Sequence, residues 1–166
     1  MKHLIVSSLL LVLLIGASSL APSETHTYTS EEGKITVDFP AEFKTSEKIE
    51  EDYRSVQAQA ISGDMVFFVD YTVHEEDMSN SEPLIEISVN AFMKRLAATP
   101  KKKKTWKVNG NKGSKSFFES EEKKLVGEYR VVIIGQIQYQ VTAVGPADSW
   151  DAKKAKKFLK SFKIDK

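Results

Sequence analysis

Between Tyr28 and Pro146, apolar and polar side chains alternate with a period of two in several runs, set in pairs about short turns. Ile35, Val37 and Phe39 alternate with Thr36 and Asp38, and Val56, Ala58 and Ala60 oppose Ser55, Gln57 and Gln59. Met65, Phe67, Val69, Tyr71 and Val73 share one parity, and Ile137, Tyr139, Val141 and Ala143 oppose Gln138, Gln140 and Thr142. A period of two sends successive side chains to opposite faces of a strand and fits no helix. Turn-forming residues separate the runs: Glu31–Lys34, Ser62-Gly63-Asp64, Asn109–Gly113 and Gly135-Gln136. Connections this short join antiparallel strands, because parallel strands need a crossover of a dozen or more residues. Val131–Ile134 is apolar at both parities, which predicts an interior strand covered on both faces.

Two segments break this rhythm with helical spacing. Ile85, Val89, Phe92 and Leu96 form one apolar stripe, with Lys94 and Arg95 at its end and Pro100 beyond it. Ser79 and Glu82 have the spacing of a capping box, and Pro83 moves the regular start a few residues on. Ala155, Phe158, Leu159 and Phe162 form the second stripe, opposed by Lys153, Lys154, Lys156, Lys157 and Lys160, with Asp148 as the expected N-cap. The expected class is α+β: an antiparallel β-sheet of about six to seven strands packed with two main α-helices. The chain contains no cysteine, so no disulfide or thiolate holds or works it.

The N-terminus has the form of an export signal. Lys2 precedes an apolar run from Leu4 to Ile15, and the small residues Gly16, Ala17, Ser18 and Ser19 follow. The expected organisation is a signal peptide over 1–19, a flexible polar leader over 20–27 and a single α+β domain over 28–166. The expected location is exported, periplasmic or extracellular, with no stable transmembrane span once the signal is cut.

Two stretches resemble a known group. Residues 28–40, YTSEEGKITVDFP, and the ending QYQVTAVGP (138–146) with AKKFLKSFKI (155–164) are similar to the opening and close of small exported bacterial proteins of the PsbP-like α/β sandwich type. The resemblance implies a scaffold for binding or assembly more often than an enzyme. It carries no catalytic motif onto residues of this chain.

The formal net charge of +1 hides a division. Residues 24–89 carry 4 basic and 16 acidic side chains, and residues 90–166 carry 19 basic and 7 acidic. No acidic residue occurs between 87 and 118, where Lys101, Lys102, Lys103 and Lys104 run together close to Trp106. Such a run either lies solvated after a helix end or meets an anionic surface. The overall balance lacks the large positive excess of a specific nucleic-acid binder.

Few residues offer chemistry. There is no Gly-x-Ser-x-Gly elbow, and after the signal only His26 and His74 remain as imidazoles. His74-Glu75-Glu76-Asp77 clusters potential cation ligands, but neighbours on a strand point to opposite faces and do not converge. Gly110–Ser116 lacks the spacing of a phosphate loop. No cofactor and no metal is implied. The remaining candidate is a polar sheet face: Ser55, Gln57 and Gln59 on one strand, Asp70, Thr72 and His74 on another, Gln138, Gln140 and Thr142 on a third. If these faces coincide, they form either solvent-facing sheet or the floor of a groove for a polar ligand. The expected function is a non-catalytic binding or accessory protein, with an unknown protein or small polar ligand as partner. The alternatives are a small hydrolase using Asp70 and His74, and a structural envelope protein without a discrete site.

Overall fold

The computed structural model describes residues 25–78 and 82–165. The expected signal peptide, residues 20–24 of the expected leader, and Ser79 lie outside the described residues. The elements run β1 (His26–Ser30), β2 (Ile35–Phe39), β3 (Phe43–Ile49), β4 (Tyr53–Ser62), β5 (Met65–His74), α1 (Glu82–Arg95), β6 (Thr99–Val108), β7 (Asn111–Ser120), β8 (Leu125–Ile134), β9 (Ile137–Pro146), α2 (Ala152–Ser161) and β10 (Lys163–Ile164). The first strand therefore opens at His26, inside the stretch expected to be a leader.

Seven strands form one sheet in the order β3-β4-β5-β9-β8-β7-β6, and β1, β2 and β10 form a second, three-stranded one. Every pairing is antiparallel. Period-two alternation thus produced the architecture it predicts, an α+β fold of mostly sheet with two helices among the described residues. The interior position expected for Val131–Ile134 is also met, since β8 lies between β9 and β7.

The large sheet has two covered faces. On one, α2 and the small sheet bury Ile35, Val37, Phe39, Phe67, Val69, Tyr139, Val141, Phe158 and Leu159 in a single cluster. Each large apolar side chain so buried contributes about 1.5–3 kcal/mol. On the other face, α1 packs Val89, Phe92, Met93 and Leu96 against Phe68, Phe118, Tyr129, Val131 and Val144. Tyr71 latches the small sheet to the large one. Its hydroxyl donates to Glu32 Oε2 at 2.9 Å, and the Cβ of any residue but glycine at 33 would sit 2.7 Å from its ring.

Three sequence expectations need correction. Asp151, not Asp148, caps α2: its carboxylate accepts from the Lys154 amide at 2.9 Å. The β6–β7 turn is the two-residue Asn109-Gly110, both at positive φ, so Asn111 to Gly113 belong to β7. A strand absent from the sequence reading, β3, forms one edge of the sheet.

Candidate functional site

The polar residues of β4, β5 and β9 do share one face. The register pairs Gln57 with Asp70 and Asp70 with Gln140; one step along, Ser55 pairs with Thr72 and Thr72 with Gln138. This is the face that α1 packs on, because Phe68 and Val144 lie in the same parity as Asp70 and Gln140 and join the α1 cluster. The expectation of an open polar surface is overturned. Ser55, Gln57, Asp70, Thr72 and Thr142 are all buried, with Asp70 1% exposed.

Asp70 is the centre of a hydrogen-bonded chain. Ser55 Oγ donates to its Oδ2 at 2.8 Å and Gln140 Nε2 donates to its Oδ1 at 2.9 Å. Tyr129, reaching in from β8, donates its hydroxyl to Gln140 Oε1 at 2.7 Å, and Thr72 Oγ1 donates to Ser55 Oγ at 3.3 Å. Burial pushes the Asp70 carboxyl up to about 6, against the pull of the Ser55, Gln140 and Thr72 donors and the Arg95 charge. Burial also raises the Tyr129 phenol, and the Asp70 charge adds to it. Around this chain, Gln57 Nε2, Ser114 Oγ, Ser116 Oγ and Thr142 Oγ1 are buried without a hydrogen-bond partner among the described residues.

The arrangement seals a carboxylate rather than presenting one to substrate. Asp70 and His74 lie on one face of the same strand, and four residues at about 3.3 Å each separate them by about 13 Å. Their partners differ accordingly. His74 is half-buried, and desolvation lowers its pKa against the hydrogen bond to Gln138. Gln138 turns towards α1, where its amide donates to Ser88 Oγ at 3.2 Å. Asp70 and Gln140 therefore meet, Gln138 and His74 form a separate pair, and no dyad results. Sequence reasoning missed Tyr129 and Arg95. The signal available was an aspartate in the middle of a strand, Met65–Val73, whose other residues are almost all apolar.

The lysine run lies far from this row. From β5 to β6 the sheet takes four strand steps, about 19 Å at about 4.8 Å per step. The strand expected over 104–108 begins earlier: the whole run lies within β6, on the edge of the sheet, and stays exposed there. Lys102, Lys104 and Trp106 turn to the α2 side, because Lys104 pairs with Lys115, Lys115 with Arg130, and Arg130 with Val141 of the α2 cluster. Lys103 turns to the α1 side and meets Glu86, while Lys101, at a register break, meets Glu119 at 3.3 Å. Lys102, Lys104, Lys107, Lys112 and Lys115 make no ion pair with the described residues. Trp106 is half-buried, 5.8 Å from the Phe162 ring and under the Arg130 guanidinium at 5.7 Å. It anchors the strand to α2 and is no open stacking platform. Among the described residues, no helix is long and apolar enough to cross a membrane.

No family model and no curated protein matches this chain. Among solved structures it is similar to cyanobacterial PsbP (CyanoP) from Synechocystis sp. PCC 6803, with a TM-score of 0.60 and 9% identity over 91% of this chain and 98% of that one. A crystal structure from Bacteroides thetaiotaomicron VPI-5482 overlaps at a TM-score of 0.47 and 13% identity, over 84% of this chain and 48% of that one. The fold of this chain is PsbP-like, an α/β sandwich.

Proposed function

We propose that this chain is an exported, non-catalytic accessory protein that docks on a negatively charged partner through β6, β7 and the outward side of α2. One observation carries the reading: cations gather there without acids to answer them. Lys102, Lys104 and Lys115 share the α2 side of the sheet, and Lys153, Lys156, Lys157 and Lys160 are exposed on α2 itself. The acids that share this side of β7 and β8 are engaged, Glu128 by Arg130 at 2.7 Å and Glu119 by Lys101. A single-sign field over a surface with a half-buried aromatic floor raises encounter rates with acidic partners and selects against basic ones. The Asp70 row supports this reading from the other side, since its carboxylate is 1% exposed and His74, about 13 Å along the strand, is not paired with it.

The test is binding of the chain to immobilised poly-glutamate over a salt series. Wild type should bind and weaken as salt rises. The triple variant K102Q/K104Q/K115Q should bind about tenfold more weakly, with a flatter salt dependence, as expected for losing three rim charges. Equal binding by both chains overturns the reading.

A second reading, a site for a small polar ligand, rests on the four unpartnered polar atoms beside the Asp70 row. It requires that Gln57→Leu abolish a ligand-induced rise in melting temperature found by screening polyols and amino acids. No thermal shift with any of them removes it.

A further inference from the structure

The large sheet has two free edges, and they are built differently. At β3 two of the three charges are answered, Glu47 by Arg54 and Lys48 by Glu50 at 2.8 Å, and Lys44 alone has no ion-pair partner among the described residues. At β6 the ten-residue strand carries five lysines, and residues 99–105 are all exposed. Three of those five, Lys102, Lys104 and Lys107, have no ion-pair partner among the described residues.

The backbone of β6 is open for hydrogen bonding along alternate residues. The two-residue Asn109-Gly110 turn makes Val108 and Asn111 its closing pair. In such a hairpin the closing pair exchanges both of its hydrogen bonds, and every second pair after it does the same. Trp106, Lys104 and Lys102 therefore turn their amides and carbonyls towards β7. Lys103, Thr105 and Lys107 turn theirs outward, away from the sheet. Towards the N-terminal end, Pro100 and the register break before Lys102 interrupt the ladder, so the regular edge runs from Lys102 to Val108.

An edge of unpaired amides is a template for another strand, and lysines along it repel uncharged or basic strands by keeping their charges hydrated. The same lysines favour a strand whose side chains neutralise them. Both faces of the edge are basic: Lys102 and Lys104 stand on the α2 side, Lys103 and Lys107 on the α1 side. We propose that β6 is a strand-addition site that captures an extended acidic segment of a partner protein, pairing with the outward amides and carbonyls of Lys103, Thr105 and Lys107. This deepens the docking reading above and rests on it. Main-chain pairing supplies affinity and the lysines select for carboxylates at alternate positions.

The experiment uses an eight-residue peptide of alternating glutamate and threonine, and the same peptide with alternate backbone amides N-methylated. Wild type should bind the first and bind the second at least tenfold more weakly. On binding, the Lys103, Thr105 and Lys107 amides should become protected from hydrogen exchange. Thr105→Pro removes an outward N–H and leaves the bonds to β7 in place, so it should weaken peptide binding at least tenfold while poly-glutamate binding persists. If Thr105→Pro and the N-methylated peptide both bind like their parents while the lysine triple variant binds weakly, strand addition is overturned and the basic docking surface stands. If no variant changes binding, both fall. Should Thr105→Pro unfold, the N-methylated peptide alone decides. Concentration-dependent self-association of wild type, lost in Thr105→Pro, overturns the proposal in favour of a second copy of this chain.

Discussion

On the α2 side of the large sheet, Phe158 packs ring to ring with Phe39 at 5.1 Å and Phe67 at 5.2 Å. On the α1 side, the row of strands that carries those contacts presents Asp70, Thr72, Gln138 and Gln140 instead, joined to Ser55, Tyr129 and Ser88 by hydrogen bonds. The first face is held by area removed from water, which is non-directional and tolerates exchange of one apolar shape for another. The second face is held in part by directional bonds, where a missing partner leaves a buried group unpaired. The difference shows where this chain tolerates change. Apolar swaps under α2 should be mild when volume is kept, whereas loss of any one donor beneath α1 strands another polar group.

The largest expected effect breaks the first face. Phe158→Ala should destabilise the fold by about 3–5 kcal/mol, read from the urea midpoint, because it removes transfer energy and leaves a cavity under α2. A shift below about 1 kcal/mol would mean that the α2 side is not the main core.

The next effect sharpens the second face. The Asp70 carboxyl stands at about 6 in the fold and at 3.8 when free, so the folded chain holds this proton more tightly. The contribution is fully present below about pH 4 and is lost as pH rises through about 6, a change of about 3 kcal/mol for roughly two units. Asp70→Asn, which resembles the protonated acid, should lack this loss. The stability difference between variant and wild type should therefore grow in the variant's favour between pH 4 and pH 7. Parallel stability curves for the two chains would show that Asp70 does not titrate in this range.

The smallest of the three concerns the link from Tyr129. Tyr129→Phe keeps the ring that stacks on Phe92 at 4.2 Å and removes only the hydroxyl that donates to Gln140. It should destabilise by about 1 kcal/mol, the effect of losing one hydrogen bond and leaving its half-buried acceptor unpaired. A neutral result would place the polar row outside the stability of the fold and strengthen its reading as a ligand site.

Much of this was legible before any coordinates. The stripes Val89-Phe92-Leu96 and Ala155-Phe158-Leu159 named the buried sides of both helices, because a half-buried helix must repeat near 3.6 residues. Alternation also marks the polar parities on β4, β5 and β9, and the register brings them onto one face. One strand escaped whole, and the first half of another. β3, Phe43–Ile49, is exposed or half-exposed throughout, so no alternation marks it. The first half of β6 is a lysine run that reads as solvated chain, since lysine has no affinity for a strand of its own, while residues 104–108 read as a strand in a hairpin with 114–120, as the register has them. Edge strands form by backbone pairing with a neighbour, and that leaves little trace in side-chain patterning.

By itself the sequence determined the local periods: which stretches are strands or helices, which side of each is apolar, and where most of the chain reverses. It also determined the uneven distribution of charge, with every residue from 87 to 118 free of acid. Tertiary structure alone decided that the polar side of the sheet is buried under α1 and that the lysines lie along a free edge. The physical reason is that alternation records only that two faces differ. Which face meets another layer, and which strand has no neighbour, depends on strand order and on contacts between residues far apart in the chain.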